Sequence, residues 1–191
     1  MKLLISSICF STLLIISYTS KGANKAGNET NCATVTTNYI SVEAAVKVSP
    51  LKDILSTYLQ LKNAFAKDND AAAAVAGNAM VKAFAAFDKK SLTAAQAKTY
   101  MNIEAGAKEN AEHIGKNAGN IKHQREHFES LSKQVYALVK LLGAGQKLYY
   151  DNCQMYNNNK GAQWLSENKI IANPYLGKSM SECGSVIEEL N

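Results

Sequence analysis

Soft donors gather near the end of this chain. Met155 follows Cys153 by two residues, and Met180 precedes Cys183 by three. Thiolate and thioether are the ligands that select Cu(I), whereas Ca²⁺ and Mg²⁺ want oxygen. Cys153, Met155, Met180 and Cys183 are therefore a candidate set for Cu(I) or Ag(I). The same spacing also suits a plain disulfide, Cys153 to Cys183, that pins the terminal segment. In that reading Met155 and Met180 are adaptable gap-fillers. Spacing alone leaves both open.

The imidazoles cluster as well. His113, His123 and His127 are the three histidines of the chain. His123 and His127 are four residues apart, so on a helix they project from neighbouring turns and can share one ion. His113 lies near the end of the preceding helical stretch. All three are candidate additional ligands, and a mixed His/Cys/Met site forms if the terminal segment folds over this end. The competing reading makes them surface or satisfied groups. Arg125, the only arginine, reads as half of an ion pair with Asp88 or Glu129.

No nucleophile elbow, phosphate loop, dinucleotide fingerprint or His-Glu-x-x-His run appears, so the chain is not expected to be an enzyme. The chain has 191 residues, 47% hydrophobic and 19% charged, which suits one domain with a real core. Its 21 basic residues against 16 acidic give a net charge of +5. Twenty of the 21 are lysines spread along the chain, whereas nucleic-acid readers lean on arginine forks. No nucleic-acid partner is expected.

Met1-Lys2, an apolar run from Leu3 to Tyr18 and small residues up to Ala23 read as a secretory signal peptide over residues 1–22. The expected location is periplasmic or secreted, with no membrane span after cleavage. Cleavage removes Lys2, Lys21 and Cys9, leaving a net charge of +3 and the thiols Cys32, Cys153 and Cys183. An odd thiol count in an exported chain leaves at least one free, ligated or paired in trans.

These side chains need a scaffold. Residues 23–49 are polar and read as a flexible lead-in, with a short extended piece at Val35–Val42. Residues 50–145 read as four helices. Ser49 and Pro50 open the first, whose Leu51, Ile54, Leu55, Tyr58, Leu61 and Phe65 fall at helical spacing. The second is alanine-rich from Ala71 to Phe87, with Met80, Phe84 and Phe87 as bulk on one face and Val75 near its start. Thr93 and Gln96 form a capping box for the third, with Met101 and Ile114 turned inward. Ile121, Gln124, Phe128, Leu131, Val135, Leu138 and Leu142 mark the seam of the fourth, which Gly143 ends. The expected fold is an all-α, up-down four-helix bundle. Residues 146–191, rich in Tyr and turn residues, read as an irregular aromatic cap of the same domain, with a helical turn at Ser185–Leu190.

Five runs in order now carry a resemblance. They are Ile121–Phe128 (IKHQREHF) with Leu131-Ser132, Tyr149–Met155 (YYDNCQM), Gly161–Ser166 (GAQWLS), Ile171–Gly177 (IANPYLG) and Met180–Gly184 (MSECG). Together they resemble a family of exported bacterial DUF-type helical domains. Those domains occur alone or fused to periplasmic adaptor subunits of copper/silver efflux pumps. The resemblance spans roughly residues 50–190. It implies periplasmic heavy-metal handling, with Cys153, Met155, Met180 and Cys183 as ligands and the histidines as a weaker carry-over. Trp164, Asn173, Pro174 and Tyr175 would form the surrounding shell. The implied partners are a copper ion and an efflux adaptor met in trans. Gln154 departs from the family's proline, which leaves φ free between the first two ligands. The expectation is thus an exported Cu(I)/Ag(I) protein for sequestration or delivery. Its rival is a metal-free envelope interaction module stapled by Cys153–Cys183.

Overall fold

The computed structural model describes residues 49–191. The expected signal peptide, the expected lead-in before Ser49 with its extended piece at Val35–Val42, Cys9 and Cys32 lie outside the described residues. Four helices form the scaffold: α1 Lys52–Ala66, α2 Asp70–Ala86, α3 Ala94–Lys116 and α4 Ile121–Leu142. Each packs on the next in sequence order. Among the described residues no helix is long and apolar enough to cross a membrane.

Local chemistry sets the helix ends. Ser49 Oγ accepts from the Leu51 amide, and its carbonyl takes Lys52 N–H. Asn69 caps α2 and Asn120 caps α4 through their side-chain oxygens. The Thr93/Gln96 capping box is complete at the start of α3. Gly143, at φ 81°, closes α4. The six expected apolar positions of the first helical stretch are all buried. The seam of α4 is buried from Gln124 to Leu138, with Ile121 and Leu142 half-buried at its ends.

α2 and α3 meet over alanines. Ala73, Ala76, Ala107 and Ala111 are buried between them. A Cβ on Gly77 would lie 2.8 Å from the Ala111 carbonyl oxygen and 2.9 Å from the Gly115 nitrogen. Only glycine permits that approach. The inward stripe of α3 is Tyr100, Ala107, Ala111 and Ile114. Met101, expected inside, is 55% exposed because Tyr100 holds the stripe one residue earlier and stacks on Phe87 at 4.3 Å. Val75 is likewise outside, at 71%, whereas Met80 and Phe84 are buried as expected; the first half of the buried α2 face is made of small residues.

The terminal segment is not irregular, and the fold is not purely α. It forms a three-stranded antiparallel sheet of β1 Leu148–Cys153, β2 Ala162–Ser166 and β3 Ser185–Leu190, ordered β2-β1-β3. The helical turn expected at Ser185–Leu190 is strand β3. Its alternating exposure is that of an edge strand with one wet face. Pairing with β1, more than thirty residues earlier, overrides the local preference. Asn157, Asn158 and Asn159 all take left-handed φ, which turns the chain between β1 and β2.

The sheet completes the bundle. β2 packs against both α1 and α4. Buried Tyr58 ties the three together, because its hydroxyl pairs with Ser132 Oγ at 2.9 Å and accepts the Leu165 amide at 3.1 Å. Trp164, Tyr175, Phe128 and Phe65 continue one core from helices to sheet.

Candidate metal sites

β1 and β3 bring the two cysteines together. Their ladder ends with Asn152 opposite Ser185, so the chains leave the sheet side by side. Cys153 and Cys183 stand just beyond, with sulfurs 2.7 Å apart. Gly184 allows this crowding. At φ 143°, a Cβ there would sit 2.9 Å from the Trp164 ring and 3.0 Å from the Asn152 carbonyl oxygen. Cys153 is buried and Cys183 half-buried.

The two methionines join the same place. Met155, Met180 and Cys183 line one surface hollow of about 460 Å³, with Lys178 and Glu182 on its rim. Met155 is 54% exposed and Met180 40%, an unusual position for gap-filling side chains. Met180 ends a single helical turn, Gly177–Met180, and its carbonyl accepts the Cys183 amide at 3.1 Å. The Cys183 thiol is pushed above the ordinary range, first by its hydrogen bond with Cys153, then by burial; the Met155 amide works against both.

The expected shell splits into different tasks. Buried Asn173 donates its side-chain amide to the Cys183 carbonyl at 2.7 Å. Its oxygen accepts the amides of Tyr175 and Leu176. The Pro174 carbonyl takes Arg125 Nε at 2.7 Å. Tyr175 donates its hydroxyl to the Gln163 carbonyl and meets Trp164 edge to face. Only Asn173 among the four bonds directly to a cysteine.

The histidines form a second, separate group. One ring nitrogen from each of His113, His123 and His127 lies within 4.8 Å of the others. His113 and His127 stack at 4.3 Å, and His123 stands edge-on to His127 at 4.6 Å. His113 is exposed and the other two are half-buried. The mixed His/Cys/Met site does not form. Arg125 bonds to the loop that carries Pro174, and Glu129 accepts from Asn157. On an α-helix that face lies roughly opposite the His123/His127 face. The cap therefore seats on the far side of α4 from the imidazoles.

Sequence reasoning missed several positioning residues. Arg125 pairs with neither Asp88 nor Glu129. Its Nη2 donates to Asp68 Oδ1 and to the Phe65 carbonyl, both at 2.7 Å. The Asp68 carboxyl is held below its usual range by that guanidinium and by the Lys178 amide. Gly177 is required there, since a Cβ would strike Asp68 and Arg125. Asp151, on the strand that ends at Cys153, is buried with no hydrogen-bond partner on either carboxylate oxygen among the described residues. Burial pushes its pKa up to about 7, against the pull of Lys62. Lys62 is itself buried and paired with Glu167 at 2.8 Å. None of these long-range pairings leaves a local signal in the sequence.

Residues 54–147 match a family model described as "Protein of unknown function (DUF3347)". That span covers most of α1, all of α2 to α4, and the link to β1. No curated protein and no solved structure matches the chain.

Proposed function

We propose that this chain is an exported protein that binds Cu(I), or Ag(I), through Cys153, Met155, Met180 and Cys183. It would hold the ion for sequestration or hand it to an efflux system in the bacterial envelope. One observation supports the reading above the others. Cys183, Met155 and Met180 line one hollow, and Cys153 meets Cys183 beside it. Sulfur-only donors favour a soft monovalent ion. Cys153 is buried in the same core as Trp164 and Tyr175, which limits access of water and oxidant from the protein side. The role is capture and release of an ion, not catalysis.

The test is an anaerobic Cu(I) titration of the reduced chain without residues 1–22, against a chromophoric competitor. One tight equivalent, lost in Cys153→Ser/Cys183→Ser, supports the proposal. Tight binding that survives the double substitution removes it.

The sulfur contact also favours a second reading, a Cys153–Cys183 staple in a metal-free envelope interaction module. Thiol counting separates the two. A disulfide that forms in air and resists exchange, together with no Cu(I) retained against the competitor, supports the staple.

A further inference from the structure

We propose that His113, His123 and His127 form a second metal site, distinct from the sulfur site, for a borderline divalent cation such as Zn(II) or Cu(II). The three rings come from α3 and α4 and present one nitrogen each within 4.8 Å. Imidazole suits Zn(II) and Cu(II) where thiolate and thioether suit Cu(I). Three protein ligands leave a fourth position open for water or a further donor.

The surroundings already set the rings for a metal. The Asn110 side-chain amide lies 2.8 Å from the Gly106 carbonyl oxygen. A carbonyl only accepts, so the Asn110 atom there is its NH₂ group. That group also donates to Gln134 Oε1 at 3.1 Å. Asn110 Oδ1 therefore faces His127 Nδ1, at 2.9 Å. Against an acceptor oxygen the neutral ring carries its proton on Nδ1, which leaves the Nε2 lone pair free. On His123 the Glu126 carboxylate stands near the same nitrogen, with Oε2 3.5 Å from Nδ1, longer than a hydrogen bond. An outer acceptor on the non-ligating nitrogen is the arrangement found behind metal-bound histidines.

Packing alone gives a poorer account. His113 is exposed, so no core requires it beside two other imidazoles. The Glu126 carboxylate beside His123 adds negative charge next to a cation placed among the rings.

Zn²⁺ is titrated into the whole chain against a chromophoric chelator, in the wild type and in His113→Ala, His127→Gln and Cys153→Ser/Cys183→Ser. Cu²⁺ is added in parallel for electron paramagnetic resonance. The expected result is one equivalent of Zn²⁺ that weakens at least tenfold in each histidine variant. It persists in the cysteine variant, and the Cu²⁺ spectrum shows imidazole nitrogen couplings that His113→Ala diminishes. His113 is exposed, so that variant keeps its fold and decides the matter even where another variant does not. No retention of either ion by the wild type, or retention unchanged in His113→Ala, overturns the site. Because neither histidine variant touches sulfur, failure here is distinguishable from failure of the Cu(I) reading.

Discussion

The side-chain amide of Asn173 donates to the backbone carbonyl of Cys183 across 2.7 Å. The same side chain accepts two amides, from Tyr175 and Leu176, and its own backbone N–H reaches the Ser181 carbonyl. One buried asparagine thus folds the Asn-Pro-Tyr loop and fixes the backbone that carries a cysteine. Arg125 fastens the next residue, Pro174, to the end of α1 at Phe65 and to Asp68 in the turn that follows. Cys183 therefore owes its place beside Cys153 to two anchors, one within the cap and one reaching to the helices.

Asn173→Ala removes three side-chain hydrogen bonds and leaves buried partners unpaired. Each such orphan costs about 1–3 kcal/mol. The expected loss is about 3 kcal/mol or more, read as a fall of roughly 10 °C in melting temperature. Native-state reaction of Cys183 with a disulfide reagent should also quicken. Unchanged thiol reactivity would show that the contact with Cys153 alone holds Cys183.

Asp68 gives the fold a dependence on acid pH. Its carboxyl sits below the usual range because the Arg125 guanidinium and the Lys178 amide bond to the charged form. The unfolded chain takes up that proton first as pH falls. The stabilisation is therefore complete above the ordinary aspartate range, and it fades as pH drops toward the depressed value. Asp68→Asn should lower the melting temperature by a few degrees at pH 7 and converge with the wild type at pH 2–3. A difference that stayed constant down to pH 2 would assign the effect to packing.

Gly106 tests the support of the histidine cluster without touching a histidine. A Cβ there would lie 2.6 Å from Gln134 Nε2 and nothing else close, so Gln134 swings aside. Asn110 then loses the Gln134 oxygen that steadies it against His127. Alanine in a helix is about 1 kcal/mol better than glycine. Gly106→Ala should leave the melting temperature level or slightly higher, while Zn²⁺ affinity falls about tenfold, the scale of outer-shell losses. Unchanged affinity would mean that Asn110 and Gln134 do not set the His127 ring.

The helices were legible because their signals are local. The α4 seam, the Thr93/Gln96 box, the Asn-rich turns and the close-packed alanines of α2 each act within a few residues. The sheet was not. β3 exists because β1 lies beside it, and nothing within Ser185–Leu190 announces a partner at Leu148–Asn152. The same limit hid the Arg125–Asp68 pair, Asn110 behind His127, and buried Asp151. For the candidate sites the split is similar. Met155 and Cys153 or His123 and His127 are near in sequence, and their pairing could be read. The junction of Cys153 with Cys183, and the separation of sulfur from imidazole by α4, are tertiary facts. Met101 failed by one residue, which is all a helix needs to turn a side chain from core to solvent.

Oxidation and Cu(I) should compete for the same atoms. A Cys153–Cys183 bond closes a loop of about 30 residues, which by chain entropy stabilises the fold by roughly 3–4 kcal/mol. Mild oxidation should therefore raise the melting temperature. It also removes both thiolates, leaving two thioethers that cannot hold Cu(I) tightly by themselves. A Cu(I)-loaded sample should in turn resist oxidation, because the sulfurs are engaged, and should melt higher than the reduced apo chain by mass action. The decisive measurement follows melting temperature and free thiols together in four samples: reduced, oxidised, reduced with Cu(I), and oxidised with Cu(I). The expected pattern is stabilisation by either agent and no added effect of Cu(I) after oxidation. If Cu(I) stabilises the oxidised chain as much as the reduced one, its ligands are not Cys153 and Cys183. The pair would then be a structural staple, and the histidine cluster would become the place to look for copper.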